Sequence, residues 1–113
     1  MSRVLLMNDA RYPWLVLVPR KTDLTEIHDL SASDRATLME EISRTSETLK
    51  SLMNAAKINV GVLGNLVPQL HVHIVARNPG DAAWPGPVWG HGIAKPYAEA
   101  AKAEFLAKLR TSL

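Results

Sequence analysis

The stretch Val67–Arg77, VPQLHVHIVAR, places two histidines one residue apart inside an apolar run. Side chains alternate across an extended strand. A strand over Gln69–Ala76 therefore turns Leu70, Val72 and Ile74 to one face, where they suit packing against a helix. It turns Gln69, His71, His73 and Val75 to the other, with the two imidazoles roughly 6–7 Å apart at their Cα atoms. One face reads as core and the other as a row of hydrogen-bonding heads.

Outward from this strand, Asn78-Pro79-Gly80 closes its end and Gly64-Asn65 reads as a turn before it. Lys57–Val62 (KINVGV) is a strand candidate, as are Arg3–Asn8 (RVLLMN) and Trp14–Pro19 (WLVLVP), joined through DARYP as a hairpin. Between the pairs, Ser31 suits a helix N-cap with Asp34 three residues on. Leu38, Ile42, Leu49 and Leu52 recur at helical spacing, with Thr45 the one polar member, so a helix is predicted over about Ala32–Ala55. Pro96 fits a helix first turn, and Tyr97–Leu113 reads as a second helix with Phe105, Leu106 and Leu109 as its apolar side. The order ββαββα, with hairpin-like links in both pairs, predicts an α+β fold with a mostly antiparallel sheet.

The length of 113 residues suits one domain, taken as residues 1–113. No apolar stretch approaches the ~18 residues needed to span a bilayer, and the N-terminus lacks a signal-peptide pattern, so a cytoplasmic setting is expected. With no cysteine, disulfides and thiolate metal sites are excluded. The net charge of +2 is mild and its basic residues are scattered, which argues against a nucleic-acid groove and leaves room for a small phosphorylated ligand.

Three readings of the histidine pair compete. Both rings could be structural, bonded to backbone. They could be two ligands of a metal, with the third drawn from His28 or His91, both in loops, or from a carboxylate such as Asp9 or Asp81, which show no ligand spacing. Or one imidazole attacks phosphorus while neighbouring donors hold the phosphate. Gly61, Gly64 and Asn65 would then offer backbone N–H groups to the anion, although an ordinary turn explains them equally well. The unusual DAAWPGPVWGHG (Asp81–Gly92) reads first as a surface loop anchored by its tryptophans, with Trp89 or His91 as the residues that could reach a pocket rim. His28 reads as a surface residue, and Arg77 more as an exposed strand end than as a phosphate-steering group.

QLHVHIVAR resembles the signature of the histidine triad (HIT) family, His-φ-His-φ-His-φ-φ with φ apolar. His73 matches its third histidine, His71 the middle one, and Gln69 stands in place of the first. LMNDARYPWLVLVPRK, EIHDLSASD and INVGVLGN are similar to the family's early hairpin, helix entry and approach to the histidine strand, so the resemblance covers nearly the whole chain. Trp14 stands where many members carry a further histidine. The resemblance implies a five-stranded, mostly antiparallel sheet with two helices, usually as a homodimer, with an extra N-terminal segment ahead of the first strand in most relatives. It implies a hydrolase or nucleotidyl transferase acting at the α-phosphate of dinucleoside polyphosphates or nucleoside phosphoramidates. His71 would be the nucleophile and His73 its phosphate or leaving-group partner. Asn8 would contact the ribose, and Asn59, Gly64, Asn65 and Gln69 would lie at the phosphate. No metal or cofactor is required at the nucleophile; Mg²⁺ would accompany a polyphosphate. The alternative is a nucleotide-binding module of the same fold with little or no turnover, since Gln69 and Trp14 change the shell beneath the nucleophile. The partner is thus a nucleotide, with neither nucleic acid nor membrane involved.

Overall fold

The computed structural model describes residues 1–113. Four strands, β1 (Ser2–Leu6), β2 (Trp14–Pro19), β3 (Lys57–Gly61) and β4 (Val72–Arg77), form one antiparallel sheet in the order β1-β2-β4-β3. Helix α1 (Ala32–Leu52) follows β2, and helix α2 (Glu99–Ser112) closes the chain. The α+β class and the antiparallel sheet are as the sequence predicts. The sheet has four strands, however, not the five that the resemblance implies: β1 and β3 are its edges, and Val4 and Leu5 of β1 are left partly exposed.

Strand β4 lies at the centre, paired on both sides, and every one of its six residues is buried. Its even-numbered side chains, Val72, Ile74 and Ala76, join Leu15 and Leu17 of β2, Leu38 and Leu49 of α1 and Leu109 of α2 in the larger core. Burying a Leu or Ile side chain contributes roughly 1.5–3 kcal/mol, so this cluster carries most of the fold's stability. Its odd-numbered side chains face a second, smaller core of Tyr12, Trp14, Val16, Val75, Ala83 and Val88, with Trp89 half-buried against it. The loop between β4 and α2 thus covers the face that the helices leave open, anchored by its apolar side chains.

Several boundaries differ from the pattern-based prediction for identifiable reasons. Strand β4 starts at Val72 and not at Gln69, because Pro68 has no N–H to donate and the Leu70 N–H bonds to the Leu24 carbonyl (2.8 Å) outside the ladder. Helix α1 stops at Leu52 because Asn54 adopts a left-handed conformation (φ 49°), and the Ala55 N–H returns to the Lys50 carbonyl. Its start is as expected: the Ser31 hydroxyl accepts from the Asp34 N–H (3.1 Å), while the Asp34 carboxylate pairs with Lys21 instead of completing a capping box. Strand β1 ends at Leu6, and α2 begins at Glu99, beyond Pro96, because Ala98 keeps an extended backbone as its N-cap; the Tyr97 N–H ahead of it donates to the Asn8 side chain (2.9 Å).

Arg77 is buried, where its place at a strand end predicts exposure. It is 1% exposed, so it neither ends the strand in solvent nor reaches a phosphate. Nε and Nη2 donate to the Asp81 carboxylate (2.8 and 2.9 Å), and Nη1 donates to Asn59 Oδ1 (2.8 Å). Its guanidinium also lies against the rings of Tyr12 and Trp84. The pair with Asp81 holds that carboxyl below, and the guanidinium above, its ordinary range. Arg77 therefore ties the histidine strand to the covering loop. Asp81→Ala leaves this buried cation uncompensated and is expected to lower unfolding free energy by about 3 kcal/mol. Urea denaturation should show the double variant Arg77→Met/Asp81→Ala losing less than Asp81→Ala alone.

Candidate active site

On the odd-numbered face of β4, beside the covering loop, a cleft of ≈ 320 Å³ opens. Its apolar wall is Leu5, Leu6 and Met7 from β1 and its end, Val16 and Val18 from β2, and Val67; its polar members are Asn8, Gln69, His71 and His73. Four of the residues picked from the sequence are thus brought together. Three are not. Asn59 is turned toward Arg77, which occupies its amide oxygen, and Gly64 and Asn65 lie farther along the loop without lining the cleft. Gly64 has φ +78°, so its place in the turn requires glycine's freedom.

The two imidazoles have different surroundings. His71 is half-buried, and its Nδ1 lies 2.7 Å from the Gln69 backbone carbonyl oxygen. A carbonyl only accepts, so Nδ1 carries the proton and Nε2 carries the lone pair. Nε2 makes no hydrogen bond within the chain. The Gln69 side chain reaches elsewhere, its amide donating to the Lys21 carbonyl (3.3 Å).

His73 is 6% exposed and reversed in polarity. The Trp14 indole N–H donates to its Nδ1 at 2.9 Å. An indole only donates, so Nδ1 is the bare nitrogen and the neutral ring carries its proton on Nε2. Trp14 and Trp89 both lie edge-on to this ring, each with centroids 5.6 Å away, and His71 lies 4.9 Å away on the cleft side. Burial, and then the neighbouring His71, push the His73 pKa down to about 4. Trp89 owes its seat to Gly61, which β3 pairs opposite His73: a Cβ there would stand 2.7 Å from the indole.

Neither Trp14 nor Trp89 was singled out as a partner of His73 by the sequence. Trp14 was legible in principle: on β2 it shares the face of Val16, the residue paired with His73. His91 is exposed and lies outside the cleft, contributing only its backbone carbonyl to Arg11 (2.7 Å). His28 is a surface residue beside Asp29. Asn8 is fixed by the Tyr97 N–H on its Oδ1, leaving its amide NH₂ as the available donor. No group of three or more His, Asp or Glu side chains is placed to hold a metal ion. No helix is long and apolar enough to cross a membrane.

The HIT domain family matches residues 1–80, which include the hairpin, α1 and the whole histidine strand. The chain belongs to the HIT family. It is similar to a histidine triad protein of Bradyrhizobium japonicum at 51% identity, TM-score 0.96, covering 99% of this chain and 84% of that one. Similar proteins are a histidine triad protein of Sinorhizobium meliloti 1021 (46% identity, TM-score 0.96, 99% and 83% covered) and one of Marinobacter aquaeolei VT8 (46%, 0.95, 100% and 85%). Comparison with curated proteins gives no match.

The depressed pKa of His73 has a consequence for stability. Between pH 6.5 and about 4 the unfolded chain takes up a proton at this residue that the folded chain refuses. Stability is therefore expected to fall across that window as pH drops, and the part of the loss above about pH 5 precedes that of the carboxylates. Replacing His73 with glutamine removes the titration, so the melting temperature of that variant should decline less between pH 7 and pH 4.5 than that of the wild type, as followed by circular dichroism.

Proposed function

We propose that this HIT protein, acting as a single unit over residues 1–113, binds nucleotides and cleaves them at the α-phosphate through His71. The observation that carries the reading is the His71 Nδ1–Gln69 carbonyl bond, which leaves the Nε2 lone pair free on a residue lining an apolar cleft of nucleoside size. A neutral imidazole is a competent nucleophile near pH 7. In the first step the Nε2 lone pair forms a bond to the α-phosphorus, and the bond to the leaving group breaks with its electron pair. The ring becomes cationic as the adduct forms, so the hydrogen bond from Nδ1–H to Gln69 strengthens as the reaction proceeds, which favours the transition state over the ground state. Water then attacks phosphorus and gives up a proton to solvent, the N–P pair returns to His71, and the nucleoside monophosphate leaves.

The Nε2–H of His73 is suited to a phosphate or bridging oxygen. The Asn8 amide is suited to a ribose hydroxyl, and Leu5, Val16, Val18 and Val67 offer apolar surface to a base. Asn59 is left out of the binding set because it is turned to Arg77 and does not line the cleft; Gly64 and Asn65 would join only by bringing backbone N–H groups over the phosphate. Candidate substrates are dinucleoside polyphosphates and nucleoside phosphoramidates, with Mg²⁺ accompanying a polyphosphate and no cofactor required at His71. The setting we propose is cytoplasmic, in keeping with a chain without cysteine. A homodimer is also proposed: Val60, Val62 and Leu63 expose an apolar run along the β3 edge of the kind that marks association surfaces.

A second reading, a binding module of slow turnover, is favoured by one observation. The Gln69 side chain, where the family motif has a histidine, is engaged with Lys21 and cannot titrate. The two readings separate on incubation with diadenosine tetraphosphate and with adenosine phosphoramidate, with AMP release followed by chromatography. The wild type should release AMP from at least one of them, and His71→Ala should lower the rate by roughly 10⁴-fold or more, as loss of a covalent nucleophile does. Binding without release by the wild type would select the binding module.

A further inference from the structure

Two histidines of this site differ in one respect that bears on which bond it can break. His71 presents a lone pair to the cleft. His73 is held from behind by an indole, and an indole N–H can give a hydrogen bond but cannot accept a proton or pass one on. Trp14 and Trp89 flank the ring, and Gly61 and Val16 are its strand partners, so no charged group of β2, β3 or the covering loop faces it; His71 is the one titratable neighbour. We propose that the Trp14 N–H, by occupying Nδ1 of His73, confines that ring to a neutral Nε2–H donor and so confines the site to leaving groups that depart as stable anions: phosphoanhydrides, not phosphoramidates.

The inference rests on the covalent role of His71 proposed above and narrows its substrate class. When His71 Nε2 attacks the α-phosphorus of a dinucleoside polyphosphate, the P–O bond breaks and its electron pair stays on the bridging oxygen of a nucleoside polyphosphate. That anion is stable near pH 7 without a proton, and a hydrogen bond from His73 Nε2–H is all it needs. When the scissile bond is P–N, the departing nitrogen cannot keep the pair as an amide anion and must receive a proton as the bond breaks. The neutral His73 ring is a good hydrogen-bond donor but far too weak an acid to surrender that proton. It could act as an acid only as imidazolium, with a proton on Nδ1, where the indole N–H already points. Burial by two tryptophans acts in the same direction, and the lowered pKa of this ring agrees with it. Proton donation to a leaving group is worth ~10²–10⁴-fold in rate, so its absence should be visible as discrimination between the two bond types.

The experiment compares kcat/KM for diadenosine tetraphosphate and adenosine phosphoramidate, whose adenylyl halves are identical, in the wild type, Trp14→Phe and Trp14→His. NMR of ¹⁵N-histidine-labelled protein reads His73 separately from His71. The wild type should prefer the anhydride by roughly 100-fold or more, with His73 as the Nε2–H form at neutral pH. Trp14→Phe frees Nδ1, so His73 should titrate at higher pH than in the wild type and the preference should shrink. Trp14→His, which restores a titratable partner, should shrink it further by raising phosphoramidate cleavage, a gain that mere damage to the fold cannot produce. A wild type that cleaves both compounds equally, or prefers the phosphoramidate, would overturn the proposal and leave the His71 mechanism standing. So would a wild-type His73 protonated on Nδ1. Turnover of neither compound would remove the underlying mechanism and the proposal with it.

Discussion

The fold depends on a central strand that is buried on both sides. Because β4 pairs with β2 and β3, its backbone groups are committed to ladders, and its two rows of side chains are committed to different cores. The even row supplies aliphatic surface to α1 and α2. The odd row carries His71 just before the strand, then His73, Val75 and Arg77, and needs a cover of its own. The Asp81–Gly92 loop supplies it, pinned by Arg77 at one end and by Trp89 on His73 at the other. A one-residue slip of β4 would bury the imidazoles under helices and expose Ile74, so register and chemistry are set by the same constraint.

That constraint gives the histidines unlike protonation chemistry from like positions. His71 precedes the ladder, where the chain has not yet joined β2, and the free Gln69 carbonyl turns back to hold its Nδ1 proton. His73 lies inside the ladder, opposite Val16 and Gly61, and finds an indole instead of a carbonyl behind it. Two residues along one strand separate a lone pair facing a cleft from a proton facing it. This is the arrangement that a nucleophile with a hydrogen-bonding partner requires.

Much of this was legible in the sequence because period-2 alternation and helical spacing are strong local signals. The order of elements along the chain, both helices, the N-cap at Ser31, and the meeting of Asn8, Gln69, His71 and His73 in one cleft follow from them and from the family motif. What was not legible depends on long-range pairing. Arg77 sits at a strand end, where an arginine is ordinarily solvated; only a loop that folds back with Asp81 buries it. Asn59 lies in a segment that resembles the family's phosphate side, yet Arg77 draws its oxygen away. The link from Trp14 to His73 joins residues 59 apart and needs the β2–β4 register, which no single segment encodes. The fifth strand came from the family resemblance alone, and four strands are what these residues form.

The covalent role of His71 is tested most directly by the intact mass of the protein during turnover. Wild-type protein would be mixed with diadenosine tetraphosphate and quenched at alkaline pH, where a histidine phosphoramidate survives. A fraction of molecules heavier by one adenylyl group is expected, mapped by fragmentation to His71 and lost on acid treatment. AMP production by a chain that never gains this mass, under conditions that trap the adduct, would contradict it and assign the attack to water.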